Sequence, residues 1–228
     1  YFYEVGYRLA TNNYSTAYND SLGIEKLQKY ASLFGLNERT GIEIEEAAPQ
    51  IANEFPVMAA IGQSNNNYTT VQLARYVTAV ANGGTVYQYT LLNRLEDSDG
   101  NVLQTFEPQV RNQIDVLDTE EWNAIHSGMR MVVENTKEFD GFPIEAAGKT
   151  GTAQQNLNRP NHALFVGYAP YDDPEISIAT RIAYGYTSHN AAKLARNVFA
   201  YYFNVENEDE LLNGQAANGN SSSNEISD

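Results

Sequence analysis

With 29 acidic against 14 basic residues, the 228-residue chain carries a formal charge of -15, which argues against wrapping nucleic acid or lying on anionic lipid. Its 42% hydrophobic content suffices for a buried core, and no apolar run approaches the roughly 18 to 20 residues that span a bilayer. The absence of cysteine excludes disulfides, iron-sulfur clusters and thiolate catalysis.

Tyr1 opens in mid-pattern, with neither an initiator Met nor a signal peptide, so a preceding segment is expected. Phe2 to Ala10 has apolar residues at helical spacing without a preceding cap. Ile24, Leu27, Tyr30, Ala31 and Phe34 form a helical stripe over Gly23 to Phe34, closed by Gly35. Thr69 is placed to cap a helix running through Val71, Leu73, Ala74 and Val77 to the stop at Asn82-Gly83-Gly84. Between Val86 and Phe106, two apolar-polar segments flank Asp97-Ser98-Asp99-Gly100-Asn101 and predict a peripheral hairpin. Asp118-Thr119-Glu120-Glu121 resembles a capping box before a helix through Trp122, Ile125, Met129, Val132 and Val133.

Three strands are predicted next, Ala147 to Gln155, His162 to Ala169 and Glu175 to Ala183. Short loops join them, so neighbours should pair antiparallel. A last helix, capped by Ser188, runs through Ala192, Leu194, Ala195, Val198, Phe199 and Phe203. Residues 205–228 turn to Asn, Ser, Gly, Asp and Glu, the composition of a solvated tail, leaving 1–204 as the folded part.

Gly148-Lys149-Thr150-Gly151-Thr152-Ala153-Gln154 concentrates a cation, two hydroxyl side chains and two glycines on the first predicted strand. Such a strand offers charge and hydroxyls to a carboxylate and its backbone to a peptide. A phosphate-binding loop, G-x-x-x-x-G-K-[ST], is the competing reading. It requires a glycine where Pro143 stands and a helix straight after the lysine, where Gly151 stands instead. Other chemistries lack their patterns. His126, His162 and His189 are far apart, so no metal site is predicted, and no G-x-S-x-G elbow occurs. No spacing singles out a glycosidase carboxylate pair, and the 16 tyrosines are expected to pack rather than bind sugars.

Lys-Thr-Gly is a motif of penicillin-binding proteins and β-lactamases. Its surroundings extend the likeness: Ala60-Ile61-Gly62-Gln63, Gln72-Leu73-Ala74-Arg75, Ala81-Asn82-Gly83-Gly84, Phe165-Val166-Gly167-Tyr168-Ala169-Pro170 and Pro174-Glu175-Ile176. As an ordered set, from Tyr1-Phe2-Tyr3-Glu4-Val5-Gly6 to about Phe203, the chain resembles the C-terminal part of the transpeptidase domain of monofunctional (class B) penicillin-binding proteins. Thr70 stands where the family usually has Pro, and both suit a first helical turn. The family's Ser-x-x-Lys does not occur in the 228 residues. Ser64-Asn65-Asn66 and Ser188-His189-Asn190 have the letters of its Ser-x-Asn but lie out of order, as polar loop and cap residues.

The resemblance implies an α/β fold, an antiparallel sheet flanked by helices on both faces. It implies a serine acyl-enzyme D,D-transpeptidase acting on the D-Ala-D-Ala end of peptidoglycan stem peptides outside the bacterial cytoplasmic membrane. β-Lactams would be its inhibitors, and no cofactor is implied. Lys149, Thr150 and Thr152 would bind the terminal carboxylate, with Gln154 also on the substrate side. The Thr152 N–H would donate to the oxyanion. Gly148 and Gly151 would leave room for the substrate backbone. The nucleophile would come from an N-terminal part of the same domain, before Tyr1. The third strand would then have an open apolar edge, so marginal stability, a swapped homodimer or a separate companion polypeptide is expected. The alternatives are a non-catalytic scaffold or binding module of the same fold and, less well matched, a nucleotide-binding enzyme.

Overall fold

The structure, a computed structural model, describes residues 1–207 and 211. The predicted tail therefore lies outside the described residues except at 205–207 and 211. Two compact units result, Tyr1–Asp118 and Thr119–Asp228.

In the first unit, α1 (Phe2–Ala10) and α2 (Asp20–Leu33) pack against a single-turn helix, α3 (Pro56–Ala59). The contact depends on two missing side chains. A Cβ on Gly6 would stand 2.7 Å from the Val57 Cα, and one on Gly23 would stand 2.7 Å from the Pro56 Cβ. Helix α2 starts three residues before the predicted Gly23, because the Asn19 side chain accepts from the Leu22 N–H at 3.2 Å.

Helix α4 (Thr70–Ala81) opens on a reciprocal capping box. The Gln72 N–H donates to the Thr69 hydroxyl, and the Thr69 N–H donates to Gln72 Oε1 at 2.8 Å. Arg75, one turn further on, is 1% exposed. Its guanidinium donates to the carbonyls of Gly35, Glu38 and Arg39, and so ties the segment after α2 to α4.

Strand β1 (Thr85–Gln88) pairs antiparallel with β4 (Gln109–Gln113), and the predicted hairpin appears as β2 (Arg94–Glu96) and β3 (Val102–Thr105). Asp97 Oδ1 closes its turn by accepting the N–H of both Asp99 and Asn101 at 2.9 Å. Strand β4 was not expected, since Gln109-Val110-Arg111-Asn112-Gln113 has no apolar alternation. The tyrosines also depart from expectation. Tyr168 is fully buried, but Tyr1, Tyr3, Tyr7, Tyr14 and Tyr18 are exposed, and Tyr7 stacks on Tyr18 with ring centroids 5.5 Å apart.

The second unit runs α5 (Thr119–Glu134), a 3-10 turn (Lys137–Phe139), β5 (Ala147–Ala153), β6 (His162–Ala169), β7 (Ile176–Ile182) and α6 (Ser188–Tyr202). Its sheet is antiparallel in the order β5-β6-β7, with Thr150 opposite Phe165 and Phe165 opposite Thr180. Ala163, Phe165 and Ala169 of β6 project into one core with Ala191, Ala192, Ala195 and Phe199 of α6 and Val133 of α5. On the other face Tyr168 meets His126 of α5, ring to ring at 5.9 Å. The α/β class with helices against both faces is thus present. Among the described residues β7 has no strand on its other edge.

Two local expectations change. Ser188 is not the cap of α6. It is the buried first helical residue, and the cap is Thr187, whose hydroxyl accepts from the His189 N–H at 3.5 Å. Glu206, in the predicted tail, forms a two-pronged ion pair with Arg196 of α6.

Candidate functional site

Strand β5 occupies the edge of its sheet. It pairs with β6 on one side, and no strand of the described residues takes the other. Every second residue therefore turns its N–H and C=O to the open side, an arrangement that accepts an added extended peptide.

Consecutive strand residues point to opposite faces, so Lys149 and Thr150 should diverge. At this edge they converge. Lys149 is exposed, and its ammonium bends around the rim to donate to the Thr150 carbonyl at 2.8 Å and to reach the Thr150 hydroxyl at 3.5 Å. A cation and a hydroxyl thus share one spot on the rim, where a carboxylate would receive charge-assisted hydrogen bonds. Thr152 and Gly151 follow on the same strand, both partly exposed.

The two glycines have different causes. A Cβ on Gly148 would lie 2.3 Å from Phe165 Cζ, and one on Gly167, its register partner, 2.7 Å from Phe165 Cε1. The Phe165 ring lies across the glycine pair and stacks on Phe139 at 5.7 Å. Gly148 is therefore fixed by the core and not by an approaching substrate, which corrects that half of the expectation. A Cβ on Gly151 would meet only the Leu164 Cβ, at 3.5 Å, an ordinary contact. Gly148→Ala should cost about 1–3 kcal/mol of stability by overpacking, whereas Gly151→Ala should leave stability nearly unchanged. Paired urea-unfolding curves would measure the difference.

Gln154 lies beyond the strand, which ends at Ala153 and not at the predicted Gln155; it is exposed in the following loop. The chain turns away there because Gln155 is held by His162. His162 Nε2 and Gln155 Oε1 stand 2.9 Å apart, and the Tyr184 N–H donates to His162 Nδ1 at 3.1 Å. Burial, with the Arg181 guanidinium alongside, lowers the His162 pKa. A strand-opening histidine was legible in the sequence, but its partners 7 and 22 residues away were not.

Gln72 and Arg75, from the tract that resembles the family, are buried binders of backbone carbonyls, so their work is structural. Ser64, Asn65 and Asn66 brace a loop: the Ser64 hydroxyl donates to the Glu54 carbonyl, and the amide oxygens of Asn65 and Asn66 accept from the Asn53 and Ala52 N–H groups. Among the described residues no three His, Asp or Glu side chains gather as a metal site, and no helix is long and apolar enough to cross a membrane.

Comparison with known proteins gives one consistent answer. Residues 8–200 match the model of the penicillin binding protein transpeptidase domain. The chain is 32% identical over 227 residues to the peptidoglycan D,D-transpeptidase MrdA of Haemophilus influenzae, a match that covers 84% of this chain and 34% of that protein. It thus spans about a third of the length of the curated relatives it matches. Among solved structures, penicillin-binding protein 2B of Streptococcus pneumoniae superposes with a TM-score of 0.75 at 23% identity, covering 90% of this chain and 38% of that one. An imipenem acyl-enzyme complex of penicillin-binding protein A from M. tuberculosis does so at 0.73 and 22%, covering 89% and 44%. At these identities the superpositions establish the fold.

Proposed function

The chain belongs to the penicillin-binding protein transpeptidase domain family, and from that premise we propose that β5 is the substrate-binding strand of a peptidoglycan D,D-transpeptidase. One observation carries this reading: Lys149 and Thr150 meet at the rim of a strand whose outer side has no strand partner among the described residues. The name of the relative from Haemophilus influenzae, a peptidoglycan D,D-transpeptidase, supports the reaction class.

A stem peptide ending in D-Ala-D-Ala lies along the open edge of β5, its terminal carboxylate on Lys149, Thr150 and Thr152. A serine hydroxyl from a part of the protein outside these residues attacks the carbonyl carbon between the two D-Ala residues. Its proton passes to a neighbouring base, and the Thr152 N–H is one of two donors to the resulting oxyanion. The tetrahedral intermediate collapses, the terminal D-Ala leaves as a protonated amine, and the acyl group passes to an amine of a second peptide, which releases the serine. Gly151 keeps the approach clear, and Gln154 borders the peptide from the loop. A β-lactam enters in the same way, its carboxylate on the same groups. On this reading the domain works on the outer side of the bacterial cytoplasmic membrane.

Fluorescent penicillin tests the assignment. The full-length protein is expected to give a covalent band that excess unlabelled penicillin abolishes, and the 228-residue chain alone to give none. No band from folded full-length protein would leave the alternative, a non-catalytic module of the same fold. A covalent band on the isolated chain would overturn the assignment of the nucleophile.

A further inference from the structure

We propose that His162, as a neutral imidazole protonated on Nε2, is the positioning residue that latches the loop after β5 to the end of the sheet, and that acid releases the latch. That this loop borders the peptide rests on the reading above; the latch itself does not.

Four contacts converge on the ring and on the turn beside it. His162 is 7% exposed. Its Nδ1 accepts the Tyr184 N–H at 3.1 Å, so that nitrogen carries no proton. Its Nε2, 2.9 Å from the Gln155 side-chain oxygen Oε1, must then be the donor. The tautomer is thus set by a backbone N–H, which has no alternative role, and by an amide of the loop. The same loop is tied twice more. Arg159 donates to the Tyr184 hydroxyl at 2.7 Å with its guanidinium 5.3 Å from that ring's centre, and the Tyr186 N–H donates to the Asn161 carbonyl at 3.1 Å. Tyr184 and Tyr186 have φ of 55° and 68°, left-handed values that tyrosine adopts only when its surroundings hold it there. His162 is therefore the shared support of the loop 154–161 and the turn 184–186.

Protonation breaks this arrangement from one side. A proton on Nδ1 would face the Tyr184 N–H, donor against donor, and the partly buried amide would lose its acceptor. The charged groups that face the ring are Arg181 of β7, with Nη2 3.3 Å from Nε2, and Arg159 across the Tyr184 ring. Both are cations; burial first and Arg181 second disfavour the imidazolium and lower the His162 pKa. The folded-state value lies below the unfolded one, so the stabilisation is fully present above about 6.5 and is lost as pH falls through the folded value.

The test uses the chain as it is. Long-range nitrogen-proton NMR spectra should show His162 with a bare Nδ1 and a protonated Nε2 at neutral pH. Hydrogen-exchange protection factors, which divide out the intrinsic rate, should fall at least tenfold at the Tyr184 and Tyr186 amides as pH is lowered from 7.5 to 5. His162→Gln supplies a donor and an acceptor that do not titrate, and should keep both amides protected across that range. His162→Ala should leave them unprotected throughout. An Nδ1-protonated ring, protection independent of pH in the natural sequence, or the same pH dependence in His162→Gln would each overturn the proposal. If His162→Ala does not fold, the titration and the glutamine variant still decide. Peptide titration is kept separate: weak binding of a peptide ending in D-Ala-D-Ala alongside an intact latch would count against the functional reading alone.

Discussion

Arg75→Ala is expected to destabilise the first unit by about 3–5 kcal/mol, the largest loss from any single side chain there. The Arg75 guanidinium donates to three backbone carbonyls, those of Gly35, Glu38 and Arg39; Gly35 keeps the Glu38 N–H and Glu38 keeps the Gln72 side-chain amide, but all three lose a charged donor with it. A hydrogen bond to a charged donor is worth about 1.5–3 kcal/mol, before the cavity is counted. A buried ion pair can often be exchanged for apolar residues without loss, because both partners go together. Here the partners are main-chain atoms and remain, so Arg75→Met should rescue little despite filling the volume. Arg75→Lys should also fall short, since a single nitrogen cannot span acceptors on both sides of the Gly35 to Arg39 segment. Burial lowers the pKa of Arg75 from a value so high that the group stays charged, and no pH dependence is expected from it. Urea unfolding by circular dichroism, with hydrogen exchange over residues 1–118, would check the size and place of the loss. A shift of the midpoint equivalent to less than about 1 kcal/mol would refute it.

In the full-length protein, Lys149→Ala should slow acylation by carboxylate-bearing β-lactams roughly ten- to a hundredfold, the range of a hydrogen bond to a charged group. The side chain is exposed and its ammonium hydrogen-bonds to Thr150, a neighbour in sequence, so folding should be unaffected. The comparison that isolates the cause is a ligand whose carboxylate is masked as an ester. If Lys149 clamps the carboxylate, the variant should lose little against the ester, because the natural enzyme has already lost the contact. Equal losses against acid and ester would assign Lys149 a role at the reacting bond and not at the carboxylate. Stopped-flow or gel-based acylation rates, with circular dichroism as a folding control, would separate these outcomes.

How far the sequence foretold the molecule depends on the range of the interactions involved. Thr69 and Gln72 announce the start of α4 because a capping box is local, closed within three residues. The three strands of the second unit were legible because their apolar runs are long and their loops short. Helix α3 was not, since four residues have no periodicity of their own; it exists where Gly6 and Gly23 let two helices close on Pro56 and Val57. Strand β4 was missed for a similar reason. Its polar residues become a strand only by pairing with β1, about twenty-five residues earlier, and composition carries no trace of that. The last helix shows a subtler failure. Thr187 and Ser188 are both good caps, and burial of the second decided between them. At the candidate site, residue types were legible but causes were not. Gly148 and Gly151 look equivalent in a string of letters, yet one is set by an aromatic ring underneath and the other stands nearly clear.

The ring underneath has a further consequence. Because Phe165 seats only over a pair of residues lacking Cβ, it acts as an index mark between β5 and β6: sliding the strands by one position would replace Gly148 beneath it with Ala147 or Lys149, and every side chain of β5 would exchange faces. The lysine would be driven inward and its outward-facing amides replaced by their neighbours. A buried phenylalanine with no access to any ligand thereby decides which atoms the rim displays, and a variant that loosened it would be expected to misalign the edge before it unfolded the sheet.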